Sequence, residues 1–237
     1  MDVYLTGDKH GSLPDYYRVI DTLKMHEVKN DNLIVILGDA GINYDNGEHD
    51  RELKENLNKS KCKFFIIQGN HEQRPEGMPD KYHLIDYMGA KGYVEDKYPN
   101  IIFGKDGEIY DFNGLSVLVV GGAYSVDKHY RIAQGLKWFA DEQMNDEQKQ
   151  LALDNLNKRN WKVDVVLSHT CPKNHIPSDM FLQGLDQDSV DRSMEEFLQE
   201  IEDKLDYTHW YCGHWHTDRV IDKIRFMFNG IVLLEQY

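Results

Sequence analysis

Leu33-Ile34-Val35-Ile36-Leu37-Gly38-Asp39 sets five consecutive apolar residues, three of them β-branched, directly before a glycine and a carboxylate. An unbroken apolar run of this length and composition reads as a strand buried on both faces. The glycine lets the backbone leave the sheet without a Cβ clash and sets Asp39 at the carboxyl end of the strand. A strand-like run that ends in a polar, metal-binding type of residue recurs four times along the chain. Residues 3–6 lead into Gly7-Asp8-Lys9-His10-Gly11, and residues 63–67 run through Gln68 into Gly69-Asn70-His71-Glu72. Residues 163–167 end in Ser168-His169, and residues 209–212 in Gly213-His214-Trp215-His216. Ligands of open α/β sheets bind beyond the carboxyl ends of the strands. The five loops are therefore expected to converge.

Helical patterns lie between these strands. Ser12 and Pro14 suit a helix start, and Tyr16, Val19, Ile20 and Leu23 follow at helical spacing. Further helices are expected over 50–58, over 146–158 with Asn145 or Asp146 as cap, and over 189–205, where Val190, Met194, Phe197, Leu198, Ile201 and Leu205 form one apolar stripe. Residues 186–206 hold nine acids against Arg192 and Lys204, which reads as the solvated face of that last helix. Residues 101–122 are β-rich without a helical pattern and suggest a second sheet packed on the first, and the short runs at 220–221, 224–228 and 231–234 suggest an antiparallel meander. The expected architecture is α/β: a two-sheet β-sandwich flanked by helices, as a single domain over residues 1–237.

Composition narrows the function. The chain has 237 residues, 41% hydrophobic and 29% charged, which suits a packed globular domain. Lys and Arg number 27 against 41 Asp and Glu, a formal charge of −14. That excess of acid disfavours stable binding to nucleic acid or to an anionic membrane. Cys62, Cys171 and Cys212 form no disulfide framework, and the first residues carry no basic, apolar leader, so a cytoplasmic location is expected.

The five strand ends bring two carboxylates, one amide and five imidazoles, with no thiolate. Oxygen and nitrogen donors of this kind suit Mn, Fe, Co, Ni or Zn, and eight groups exceed the coordination of one ion. Two ions sharing a carboxylate, with one histidine left for proton transfer, account for the set. A structural zinc module is disfavoured, because such sites usually rely on cysteine. Together, the motifs Gly7-Asp8-Lys9-His10, Gly38-Asp39, Gly69-Asn70-His71-Glu72, Ser168-His169 and Gly213-His214-Trp215-His216 resemble those of the calcineurin-like metallophosphoesterases, in order and across residues 7–216. The resemblance implies a four-layer αββα fold. It also implies one divalent ion on Asp8, His10 and His216, a second on Asn70, His169 and His214, and Asp39 bridging both. Manganese is the first expectation for the metal. His71 would be the catalytic group at the leaving-group oxygen. The implied activity is hydrolysis of a phosphodiester or phosphomonoester by a metal-bridging hydroxide, on a small phosphorylated substrate or a nucleotide. A nuclease, a protein phosphatase or a non-enzymatic scaffold on the same fold are the alternatives.

One departure stands out. Gly38-Asp39-Ala40-Gly41-Ile42-Asn43-Tyr44-Asp45 lacks the arginine that often follows the bridging aspartate in this family, which disfavours a protein phosphatase and leaves Asp45 as the candidate for orienting His71. Arg74 and Arg131 are weighed as phosphate contacts against surface charges. Trp138 and Phe139, with Tyr130, are weighed as a base-binding floor against ordinary packing. Glu72 reads as a first-turn acid with a structural role, Cys212 as buried filler, and His26, His49, His83, His129, His175 and His209 as outside the chemistry.

Overall fold

The computed structural model describes residues 1–25, 32–181, 184 and 186–234; His26 therefore lies outside the described residues. The chain opens with β1 (Asp2–Thr6), α1 (Leu13–Met25), β2 (Asn32–Ile36), α2 (Glu48–Lys59) and β3 (Lys63–Ile66), and the three strands pair in parallel. Ser12 starts α1 as expected, its hydroxyl accepting the Asp15 N–H at 3.4 Å. A hairpin follows, β4 (His83–Tyr87) and β5 (Ala90–Val94), and then β6 (Ile101–Gly104), which lies parallel to β3 and antiparallel to β5. Next come β7 (Ile109–Phe112), β8 (Leu115–Val120), α3 (Lys128–Ala133), α4 (Asp146–Lys158), β9 (Val165–Ser168), α5 (Ser193–Glu202) and β10 (His209–Cys212). The chain closes with β11 (Arg219–Ile221), β12 (Ile224–Phe226) and β13 (Val232–Leu233).

The strands form two mixed sheets, in the orders β13-β1-β2-β3-β6-β5-β4 and β11-β12-β10-β9-β8-β7. The period-two alternation of β2 shows how they stack. Leu33, Val35 and Leu37 face the space between the sheets, where they meet Val117, Val119, Val165 and Leu167 of the opposite sheet. Ile34 and Ile36 point the other way, into a core with Tyr16, Val19 and Leu23 of α1 and Leu53 and Leu57 of α2. On the far side, Leu118, Val120, Val166 and Trp210 pack against Ala152 and Leu156 of α4 and Met194, Leu198 and Ile201 of α5. The result is the expected order of helix, sheet, sheet, helix. All three cysteines are free and buried, Cys212 within the outer core.

Four expectations are corrected. The 101–122 stretch is divided: β6 completes the first sheet, and only β7 and β8 enter the second. The C-terminal run is not one meander, because β12 lies parallel to β10 and β13 crosses to pair antiparallel with β1. The last helix is shorter than 189–205. A 3-10 turn at Gln187–Ser189 precedes it, and Asp191 accepts the Ser193 N–H at 2.9 Å, so the α-helix starts only at Ser193 and Val190 is left outside. The acids there are not all solvated either, since Glu195 is buried. Among the described residues no helix is long and apolar enough to cross a membrane.

Candidate metal centre

The parallel strands of both sheets deliver their carboxyl ends to one place: β1, β2 and β3 from the first sheet, β9 and β10 from the second. Asp8, Asp39 and His169 are buried and offer ligand atoms within 4.8 Å of one another. Around them the remaining candidates fall into two groups. In the first, His10 Nε2 and His216 Nε2 are 3.0 Å apart, and His216 Nε2 is 3.7 Å from Asp8 Oδ2. In the second, Asn70 Oδ1 is 2.8 Å from His169 Nε2 and 3.1 Å from His214 Nδ1. Asp39 lies between the groups, with Oδ2 3.9 Å from His10 Nδ1 and Oδ1 3.7 Å from His169 Nε2. All seven residues proposed as ligands are thus gathered, with one carboxylate facing both ways.

The surroundings aim these donors. His169 Nδ1 donates to the Leu37 carbonyl at 2.8 Å, which leaves Nε2 unprotonated and directed at the cluster. The Asn70 Nδ2 amide donates to Ser125 Oγ at 2.8 Å, so its carbonyl oxygen faces inward. Gly38 adopts a φ of +90°, and a Cβ there would land on the His169 ring, while a Cβ on Gly69 would land on the Asp39 carboxylate. His10, Asp39, His214 and His216 all take positive φ, between 45° and 65°. Non-glycine residues in that region are strained by about 1–3 kcal/mol each, which is characteristic of functional sites.

Electrostatics make the same point. Burial, reinforced by the charge of Asp39, raises the Asp8 carboxyl well above its ordinary range. Burial alone would also raise Asp39, but the imidazoles of His169, His71 and His10 outweigh it and hold that carboxyl low. Desolvation lowers His169, His214 and His71, and with the neighbouring imidazole of His10 it brings His216 down to about 4. Neutral imidazoles are the form that binds metal. Asp8 Oδ1 accepts the His214 N–H at 3.2 Å, whereas Asp8 Oδ2 is buried with no hydrogen-bond partner among the described residues. An orphaned buried carboxylate oxygen beside several imidazole nitrogens fits divalent cations.

His71 stands beside this cluster. Its backbone N–H donates to Asp39 Oδ1 at 2.9 Å, its ring lies 5.9 Å from that of His10, and it lines a cavity of about 350 Å³ that opens from the centre. Asp45 has no hydrogen bond to it among the described residues, and its Oδ1 instead accepts the Gly47 N–H at 2.7 Å in a local turn. The carboxylates whose charge acts on His71 are Asp39 and Asp127, the latter held by Arg131 Nε at 2.7 Å. Arg131 is thus half-buried and paired rather than directed at the cavity. Arg74 is neither a surface charge nor a phosphate arm: it is buried, pairs with Asp106 and donates to the Asp141 carbonyl. Trp138 and Phe139 are also away from the cavity. Trp138 donates to Glu142 at 2.8 Å under the Lys128 ammonium, and Phe139 meets Tyr44. Of the histidines set aside, His83 and His175 face Asp96 and Glu202 at 3.5 and 2.9 Å.

Sequence reasoning underrated two supports. Glu72 is structural, though not as a helix-start acid: fully buried, it accepts the Gly69 N–H at 3.0 Å and the Gly41 N–H at 3.1 Å, tying together the loops that carry Asn70 and Asp39. Asp218 accepts the N–H groups of Phe228, Asn229 and Gly230 at 2.8–3.0 Å, and the Phe228 ring so fixed stacks on His216 at 4.7 Å. Glu72 closes the third motif and Asp218 comes two residues after His216, which is the only trace either leaves in the sequence.

No curated protein matches the sequence. Among solved structures, one superposes with a TM-score of 0.52 at 11% identity, over 95% of this chain and 89% of its own. The phosphopantetheinyl hydrolase of Mycobacterium tuberculosis is also similar, with a TM-score of 0.49 at 13% identity over 96% and 88% of the two chains. The first likeness shows the fold. The family model for calcineurin-like phosphoesterases matches residues 1–218, more than half of the chain and every strand end described above, so the chain belongs to the calcineurin-like phosphoesterase family.

Proposed function

We propose that this chain is a phosphoesterase that uses two divalent metal ions, manganese foremost, to hydrolyse a small phosphorylated substrate, a mono- or diester, acting as a single domain in the cytoplasm. The observation that carries the proposal is Asp39, whose two oxygens face two separate groups of ligand atoms. When bound, divalent ions in these positions supply Lewis acidity toward a phosphoryl oxygen and lower the pKa of water. Asp8, His10 and His216 would hold one ion, Asn70, His169 and His214 the other, with Asp39 shared. Two carboxylates against two dications leave a positive centre in a chain of charge −14, enough to draw in a phosphate.

The protein's own contribution is position and a proton. The ligand loops hold the donors in place before substrate arrives, so little reorganisation accompanies the reaction. His71 lines the cavity next to the cluster, and its ring is the group for protonating a departing alkoxide. Burial lowers its pKa in the free protein, and the negative charge of a bound phosphate would restore the protonated form. The test is hydrolysis of bis-p-nitrophenyl phosphate and p-nitrophenyl phosphate by metal-stripped protein, with Mn²⁺, Ni²⁺, Zn²⁺ or Mg²⁺ restored in turn. Metal-dependent turnover supports the proposal, and the diester/monoester ratio assigns the ester class. Absence of turnover with every metal, despite bound ions, contradicts it and favours a scaffold.

A further inference from the structure

The cavity beside the metal centre has two unlike ends. Near the ligands it is polar. Away from them its wall is Ile176, Met180, Phe181, Val190 and Trp215, contributed by the loop after β9, the turn before α5 and the loop after β10. Phe181 and Trp215 form an aromatic corner, with ring centroids 6.3 Å apart and planes at 37°. Trp215 in turn meets the ligand His214 edge-on at 5.3 Å, so the corner begins one ring away from where a phosphoryl group would sit.

The polar groups at this end are few and specific. Arg192 lies over the Phe181 ring at 5.5 Å and donates to Gln187 Oε1 at 3.1 Å. It is the single Lys or Arg among the lining residues. One cation does not make a track for a polyphosphate or a nucleic-acid backbone. Glu195 is different in kind. It is 5% exposed, its Oε1 accepts the Thr170 hydroxyl at 2.7 Å, and its Oε2 has no hydrogen-bond partner among the described residues. A buried carboxyl oxygen left without a donor costs stability unless something donates to it. With so few polar groups, the apolar wall leaves most hydroxyls of a sugar or polyol, and most amides of a peptide backbone, short of partners.

We infer that the organic arm of the substrate is a planar heteroaromatic ring carrying N–H donors, of nucleobase type, which stacks in the Phe181–Trp215 corner and donates a hydrogen bond to Glu195. This rests on the phosphoesterase reading for the placement of the phosphoryl group, and it adds the chemistry of the ester arm. A flat ring uses the aromatic wall and the guanidinium plane of Arg192, and its N–H edge supplies the donor that Glu195 lacks. Phe181, Trp215 and Glu195 are then the residues that set specificity, in positions separate from the metal ligands.

Calorimetric binding to the manganese-loaded protein tests this without turnover. The probes are the hydrolysis-resistant methylenephosphonate analogues of adenosine and guanosine monophosphate, the same analogue of ribose 5-phosphate, and n-hexylphosphonate. At least one nucleoside analogue is expected to bind at least about tenfold more tightly than either ringless probe, the scale set by base–aromatic stacking. Phe181→Ala and Glu195→Gln are each expected to bring the nucleoside analogues down toward the ribose analogue. Equal binding of the ribose probe overturns the inference, and equal binding of n-hexylphosphonate replaces the ring with a merely apolar arm, which overturns it too. The wild-type comparison decides even if both variants misfold. Chromogenic ester hydrolysis, run in parallel, separates the two readings: turnover without ring preference sinks only the inference, and ring preference without turnover sinks only the phosphoesterase.

Discussion

His71 and Glu72 are adjacent in sequence and opposite in role. His71 opens onto the cavity, whereas Glu72 points into the protein and fastens two loops by their backbone N–H groups. His71→Ala should keep both ions and lose turnover by roughly 10²–10⁴-fold, the range of general acid–base catalysis. The loss should be larger for an alkyl leaving group than for p-nitrophenolate, which needs no proton. Comparing the two esters in steady-state assays checks this, and equal losses would remove the proton from His71. Glu72→Ala should instead weaken metal binding by roughly 10–100-fold, as for other groups that support ligands from behind. A competition titration with a chelating dye measures that loss directly. The seven proposed ligands and His71 were legible in sequence because each stands in the loop after a strand, all but His169 close to a glycine. Glu72 was not legible as a tether, because its remote partner Gly41 is brought to it only by the pairing of β2 with β3.

At the scale of elements, the two sheets are joined by more than apolar packing. Arg74, after β3, pairs with Asp106 between β6 and β7, and Asp106 Oδ1 accepts the Gly121 N–H at 2.6 Å just beyond β8. Both charges are buried, so removing one leaves the other stranded. Arg74→Ala should destabilise the fold by about 3–5 kcal/mol in urea denaturation, with the metal ligands untouched. A loss under about 1 kcal/mol would mean that Asp106 finds another partner or takes up a proton. The parallel strands and the helices α1, α2 and α4 were readable from apolar runs and caps, as with Asn145, whose side chain and that of Gln148 form a capping box. The β4–β5 hairpin was not, since its residues are largely exposed on β4 and show no clear alternation. Nor could the crossing of β13 to the first sheet be read from a strand of two residues. Of the two readings weighed for Trp138 and Phe139 the structure favours packing, while Phe181 and Trp215, which line the cavity together with Tyr124, carried no periodic signal.

For the whole molecule, the two sheets exist as a frame that buries Asp8, Asp39 and His169 together and sets four more imidazoles against them. That assembly opposes itself until cations enter, so chelation should lower the melting temperature. Manganese at about 100 times the dissociation constant of a site should add about 2.7 kcal/mol of stability for each site filled. Differential scanning calorimetry with and without chelator checks it, and identical melting would mean that the cluster needs no ion. The most direct test of the central claim is the metal content of purified wild-type protein and of Asp39→Ala, measured by inductively coupled plasma mass spectrometry after equilibration with Mn²⁺. The account predicts about two ions per chain in the wild type, as a two-metal site requires, and loss from both positions when the shared carboxylate is removed. A wild-type protein that retains no metal, or an Asp39→Ala variant that still holds both ions, would contradict it.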